Sequence, residues 1–222
     1  MSFMQAMRTP SAQEVEAVIT TLHHAYPDHP MHTAFGHNPF HMLVAVILSQ
    51  RATDAQTIPV ARTLLNAAPT PQALLTLQTE TLETIIRPIG FFHTKTRALQ
   101  KLAHALINTH AGQVPSTERD LLALPQVGRK TANIILTMFF ATPQIAVDTH
   151  VHRISNRLGW ISTKTAEETE KQLTRFVPKQ LVSIINQIFV RHGQEICRPI
   201  RPWCSRCPVA KYCKRIDVVS SR

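Results

Sequence analysis

Acidic residues are scarce in this 222-residue chain: 14 Asp and Glu stand against 24 Lys and Arg, a formal net charge of +10. Glycine is scarcer still. There are 6, against 15 prolines, so each glycine is expected to hold a special backbone position. Cysteine is absent before Cys197. The longest purely apolar run is Met42–Leu48, far short of the ~20 residues a membrane helix needs. The opening segment MSFMQAMRTPSAQEVE lacks the apolar core of a signal peptide. No convincing strand alternation, fixed-period repeat or low-complexity tract is present. These absences exclude a membrane-spanning helix and give no sign of secretion. With 44% hydrophobic and 17% charged residues the chain is globular rather than disordered, and a soluble cytoplasmic protein is expected.

What is present is helix. Leu82, Ile85, Ile86 and Ile89 fall at i, i+3, i+4 and i+7. Leu99, Leu102, Ala103, Leu106 and Ile107 repeat the pattern, as do Leu181, Ile184, Ile185, Ile188 and Phe189. Each set lines one face of a 3.6-residue helix and predicts core packing. Ser11-Ala-Gln-Glu14 and Thr165-Ala-Glu-Glu168 have the form of capping boxes, and prolines punctuate the helices between them. The fold class is therefore all-α, with about nine to eleven helices expected.

A net positive charge fits a solvated cationic protein, and it also fits a polyanion partner whose phosphates Lys and Arg neutralise. The charge is uneven. Between Arg191 and Arg222 eight basic residues face only Glu195 and Asp217. All four cysteines lie in the same segment, as Cys197-x6-Cys204-x2-Cys207-x5-Cys213. Disulfides suit an oxidising compartment, for which there is no signal. Zinc sites commonly pair two C-x2-C knuckles, and only one is present. Four thiolates fit a [4Fe–4S] cluster chemically, so spacing favours iron–sulfur over zinc by a modest margin.

Two further segments carry chemistry. Leu124-Pro-Gln-Val-Gly128-Arg-Lys-Thr-Ala-Asn133 reads as a tight turn joining two helices, the second starting near Arg129. Backbone N–H groups at such a helix start bind phosphate. Lys130 stands in its first turn, where a positive field and partial desolvation favour the free amine that a nucleophile needs. Ile145-Ala-Val-Asp148-Thr-His150 then delivers an acid after a short apolar run. Asp148 can cap a helix, or act as a base or a stabiliser of developing positive charge. One apolar helix and a Pro turn separate Lys130 from Asp148, so a shared cleft is expected.

The hairpin LPQVGRKTAN, the downstream VDTH and the cysteine spacing together resemble the endonuclease III family of DNA glycosylases, in the helix–hairpin–helix superfamily. The resemblance runs from about Phe40 to Cys213. It implies two helical domains with DNA in the cleft between them: a six-helix barrel over 32–142, and a cluster domain built from 1–31 and 143–222. It implies Lys130 as nucleophile, Asp148 as catalytic acid residue, and Cys197, Cys204, Cys207 and Cys213 as ligands of a [4Fe–4S] cluster. Arg198 and Arg201, between the first two cysteines, match a loop that meets DNA. Ile47-Leu-Ser-Gln50-Arg51 resembles the loop whose side chain fills the gap left by an extruded base. The family has Gln where Arg51 stands here, with Gln50 one place earlier. Ile89-Gly-Phe91-Phe resembles a turn carrying an apolar wedge, so Phe91 is the candidate intercalator, with core packing as its alternative. Gln126 replaces a family Gly in the hairpin, where a non-glycine residue favours φ < 0. Gln126, Gly128, Arg129 and His150 complete the expected DNA contacts.

The activity so implied is a bifunctional DNA glycosylase and AP lyase of base excision repair. It acts as a monomer on damaged or abasic double-stranded DNA, removes oxidised pyrimidines through a lysine Schiff base and cuts 3′ to the abasic site by β-elimination. A nucleoid-associated cytoplasmic location follows. The adenine glycosylase branch has a catalytic Glu in its early helix, whereas Met42–Gln50 has no carboxylate. A mismatch-specific thymine or uracil glycosylase of the same superfamily is the second reading. A non-catalytic iron–sulfur DNA-binding protein is the third.

Overall fold

The computed structural model describes residues 9–27 and 29–222; the opening stretch MSFMQAMR, where no apolar leader is expected, lies outside them. Among the described residues there are twelve α-helices, three short 3-10 turns and no strand. No helix among them is long and apolar enough to cross a membrane. The fold class is the expected one, but the helix count exceeds the nine to eleven expected. The surplus lies in short helices: Pro30–Phe35 (α2), Pro71–Thr76 (α5) and Glu118–Leu122 (α8) have five or six residues each. A helix of that length never repeats its apolar face, so periodicity cannot reveal it.

The chain divides into two compact units: Pro30–Thr142, and Met1–His29 together with Pro143–Arg222. The first, the hairpin unit, is organised around Pro39–Ser49 (α3), in which every residue from Met42 to Leu48 is buried. A helix apolar on all faces belongs inside a core. Against it pack α2, Asp54–Ala67 (α4), Phe92–His110 (α7) and Arg129–Phe139 (α9). Thr79–Ile86 (α6) buries Leu82 and Ile86, and α7 buries Leu99, Leu102, Ala103 and Leu106, the stripes read from the sequence. Each buried Leu or Ile among them contributes about 1.5–3 kcal/mol of transfer free energy. Helix α4 starts on a closed capping box, Thr53 with Gln56.

The second, the cysteine unit, joins Ala12–Ala25 (α1) to Thr149–Leu158 (α10), Ala166–Leu173 (α11) and Val182–Glu195 (α12). Helix α12 packs on both α1 and α10. Val15, Val18, Ile19 and Leu22 of α1 share one core with Val151, Ile154 and Leu158 of α10 and with Ile185, Ile188 and Phe189 of α12. The capping box expected at Thr165–Glu168 closes in both directions, whereas Ser11 accepts from Glu14 N at 3.1 Å.

Candidate functional site

In the hairpin unit three turns bear the expected DNA contacts. Gln50 and Arg51 follow α3, Phe91 precedes α7, and Gln126 and Gly128 lie between α8 and α9. Arg51, Phe91 and Gln126 all adopt left-handed backbone, with φ of 59°, 61° and 62°. A non-glycine residue there costs about 1–3 kcal/mol and persists only where the surroundings impose it. The preference of Gln126 for φ < 0 is thus overridden: it holds the conformation a glycine would adopt freely. Gly128 departs from expectation in the opposite sense. Its φ is −92°, and a Cβ built there meets nothing within 4 Å, so neither backbone nor packing demands glycine. Gly128 leaves the start of α9 open to close approach, which suits a phosphate backbone.

Hydrogen bonds and one stacked pair tie these turns together. Gln50 Nε2 donates to the Gln126 carbonyl at 3.2 Å. The Arg51 guanidinium lies over the Phe91 ring, 5.4 Å from its centroid, a cation–π interaction. Lys95 Nζ donates to the carbonyls of Leu48 and Gln50 at 2.6 and 2.8 Å. Phe91 is 61% exposed, so it is not a core residue. Lys130 is half-buried in the first turn of α9, and Arg129 beside it is exposed and paired with Glu118 at 3.2 Å.

In the cysteine unit Asp148 is the N-cap of α10. Its Oδ1 accepts from the backbone N–H groups of His150 and Val151, both at 2.9 Å. Ile145, Ala146 and Val147 before it are buried, and Asn186 Nδ2 holds the Ala146 carbonyl at 2.7 Å. The apolar run therefore fixes where the acid emerges. His150 orients Asp148 through its main chain, while its ring faces Arg153, Nδ1 to guanidinium 3.1 Å. Gly193 on α12 leaves room for that pair, since a Cβ would collide with both side chains. The Arg153 guanidinium also donates to the Cys197 carbonyl at 3.0 and 3.1 Å.

All four cysteines are free thiols and line one pocket, walled by apolar residues such as Ile154, Leu158 and Val209. Among the described residues no set of three or more His, Cys, Asp or Glu converges on a single ion position. N–H donors nevertheless point at two of the sulfurs, and a ring nitrogen lies beside a third. Arg157 reaches Cys197 Sγ at 3.4 Å, His192 Nε2 lies 3.6 Å from Cys207 Sγ, and Arg215 N donates to Cys213 Sγ at 3.4 Å. Burial lowers His192 to about 4, so its ring is neutral, with Nδ1 3.3 Å from the Tyr26 hydroxyl. Burial also raises the Cys207 thiol to about 11, and it raises Cys213. Occupation by metal must displace these protons. Four sulfurs lining one apolar pocket, with N–H groups aimed at two of them, fit an iron–sulfur cluster.

The sequence reading missed Lys95, Arg153, Arg157 and His192. Three carried a readable signal. Lys95 continues the Leu99–Leu102–Leu106 stripe one turn back, His192 follows Ile188 and Phe189 at helical spacing, and Arg157 stands three residues after Ile154. A polar residue on an apolar stripe is buried with a partner. Of the candidate loop contacts, Arg198 and Arg201 are exposed, and Arg201 is also left-handed, at φ 48°.

Comparison with known proteins shows what the chain is similar to. Residues 44–179 match the family described as HhH-GPD superfamily base excision DNA repair protein. The chain is 41% identical over 177 residues to endonuclease III of Thermotoga maritima, covering 80% of this chain and 83% of that protein. It is similar to the structure of a non-covalent endonuclease III–DNA complex, at 36% identity and a TM-score of 0.83 over 93% of this chain and 97% of that one. A trapped endonuclease III–DNA covalent intermediate is similar at 35% identity and a TM-score of 0.80, with the same coverage.

Proposed function

The chain belongs to the HhH-GPD superfamily and, within it, to the endonuclease III family, and from that premise we propose the reaction it carries out and the residues responsible. It is a bifunctional DNA glycosylase and AP lyase of base excision repair. Its substrate is double-stranded DNA with a damaged base, read as an oxidised pyrimidine, bound by a monomer. The work is done where the chromosome lies.

A base within a duplex hides its sugar carbon, so the nucleotide must leave the stack, at a cost of a few kcal/mol. Phe91 and Arg51, exposed at adjoining turns, offset that loss by occupying the gap. The open start of α9 at Gly128 and the Arg129 side chain hold the phosphate backbone. Arg198, Arg201, Gln126 and His150 add contacts around it. The amine of Lys130 attacks C1′, and the bond to the base breaks with its electron pair leaving on the base. Asp148 assists by accepting a proton or by stabilising positive charge on the sugar. The amine and C1′ then form an imine, with loss of a proton from nitrogen and opening of the sugar ring. The imine acidifies C2′; removal of a proton there expels the 3′ phosphate. Water as nucleophile forms no imine, so the lysine separates this chemistry from that of a monofunctional glycosylase.

Residues 32–142 are read as the six-helix barrel, and 1–31 with 143–222 as the cluster domain. Cys197, Cys204, Cys207 and Cys213 would hold a [4Fe–4S] cluster. When bound, that group cross-links the C-terminal loop and supplies one-electron redox capacity.

The observation that carries the reading is Lys130 in the first turn after the hairpin, in a chain similar over nearly its whole length to a trapped covalent complex. Borohydride reduction with abasic DNA should yield a stable adduct in the native protein. Lys130→Gln should abolish it while leaving DNA binding intact. An adduct that survives the substitution, or that maps to another side chain by mass spectrometry, defeats the assignment.

A further inference from the structure

Lys95 is buried, 7% exposed, on the first turn of α7. Burying an ammonium is expensive unless its donors are matched, and a methionine would fill the same space without that cost. Its Nζ is bonded to two main-chain carbonyls at the end of α3, Leu48 and Gln50. Those groups lie at the negative end of the helix, where a cation is favoured. The Gln50 carbonyl belongs to the peptide that leads into Arg51. At its other end Lys95 donates its backbone N–H to the Phe91 carbonyl at 3.0 Å. One residue therefore spans the main chain beside Arg51 and the main chain of Phe91, the two left-handed positions whose side chains stack on each other. Through Gln50 the same tie reaches the carbonyl of Gln126, the left-handed residue of the hairpin.

We propose that Lys95 is a positioning residue for base extrusion, holding Arg51 and Phe91 as one rigid element that enters the duplex in place of the flipped nucleotide. It touches neither DNA nor the reacting atoms. Its effect falls on the step that opens the stack and not on the imine chemistry of Lys130. This assignment rests on the glycosylase and lyase reading above, which assigns Arg51 and Phe91 to the gap.

The test uses the full-length, cluster-loaded protein and Lys95→Met, Lys95→Gln and Lys95→Arg. Three quantities are measured: single-turnover base release from a duplex with one oxidised pyrimidine, fluorescence of 2-aminopurine next to that lesion, and borohydride trapping on a single-stranded oligonucleotide with an abasic site, where no gap needs filling. Lys95→Met should slow base release about 10- to 100-fold, the range that misplacement of a positioned group costs, and should blunt the fluorescence rise. Trapping on the single strand should stay within about 3-fold, as expected of a group uninvolved in covalent chemistry. Lys95→Arg, which keeps the charge and the donors, should recover most of the base release. Lys95→Gln serves if the methionine variant does not fold. Equal losses in both reactions, no loss in either, or failure of both neutral variants to fold would make Lys95 a plain structural residue and overturn the proposal. Absence of trapping in the native protein would instead defeat the lyase reading, and the Lys95 assignment would fall with it.

Discussion

The two units hold most of their candidate residues by opposite means, the left-handed Arg201 of the cysteine unit excepted. In the hairpin unit Arg51, Phe91 and Gln126 sit on left-handed backbone, in turns joined by a few hydrogen bonds around Lys95. In the cysteine unit Asp148 caps a regular helix, and the backbone after Cys197 is gripped by the buried guanidinium of Arg157. The difference is one of where free energy is stored. Strained turns present side chains outward and gain little from their own geometry. A capped helix and a clasped loop are positions at which the native geometry is itself the low-energy state.

The sharpest way to break this contrast is at Arg157. It donates to the carbonyls of Arg198 and Pro199 at 2.6 and 2.7 Å and to Cys197 Sγ. Arg157→Leu leaves these part-buried acceptors without their donor and should cost about 1–3 kcal/mol in urea unfolding. If the four cysteines hold the cluster proposed for them, the purified protein should also lose visible absorbance as the cysteine loop loosens. Retained colour and an unchanged midpoint would mean the loop is not held from α10. Asp148 comes next. Asp148→Ala removes the cap and should cost about 1 kcal/mol, while Asp148→Asn keeps it and should cost little. Both should slow base release far more than they weaken binding. If the asparagine variant loses as much stability as alanine, the cap is not what fixes this residue.

Smaller effects, of opposite sign, are expected in the hairpin unit. Gln126→Gly relieves a left-handed strain of about 1–2 kcal/mol and adds about 0.5–1 kcal/mol of unfolded-state entropy, so a net gain of about 0–1.5 kcal/mol is expected by calorimetry. Phe91→Gly should behave alike, because its ring is mostly outside the core, yet base release should fall. A large destabilisation at either position would show the turns to be structural supports rather than strained presenters.

These two modes differ in how much of them a sequence displays. The three apolar stripes and the all-α class were legible because burial repeats every turn of a long helix. The hairpin was legible through Pro125 and Gly128, and the N-cap at Asp148 through the helix start that follows it. Short helices α2, α5 and α8 were not, having no second turn to repeat. The left-handed residues were illegible for a different reason: glycine advertises positive φ, whereas Arg51, Phe91 and Gln126 adopt it without being glycine. Lys95 was hidden by the habit of reading lysine as solvated, although its place on the α7 stripe predicts burial with partners.

The finest distinction falls within a single loop. Arg157 reaches into the Cys197–Cys204 segment from α10, but Arg201 stands in it exposed, at φ 48°, with Ile200 beside it 82% exposed. If Arg157 secures the loop and Arg201 presents it, Arg201→Ala should leave the urea midpoint unchanged. Its effect should appear only in binding, as a decrease of about one in the slope of log affinity against log salt, the equivalent of a single phosphate no longer neutralised. Arg198→Ala provides the comparison, since its guanidinium also donates to Gln194 O at 3.2 Å and is partly engaged by the protein. A slope unchanged by Arg201→Ala would remove this loop from the DNA surface, and a fall in stability would place Arg201 with Arg157 among the groups that hold the loop together.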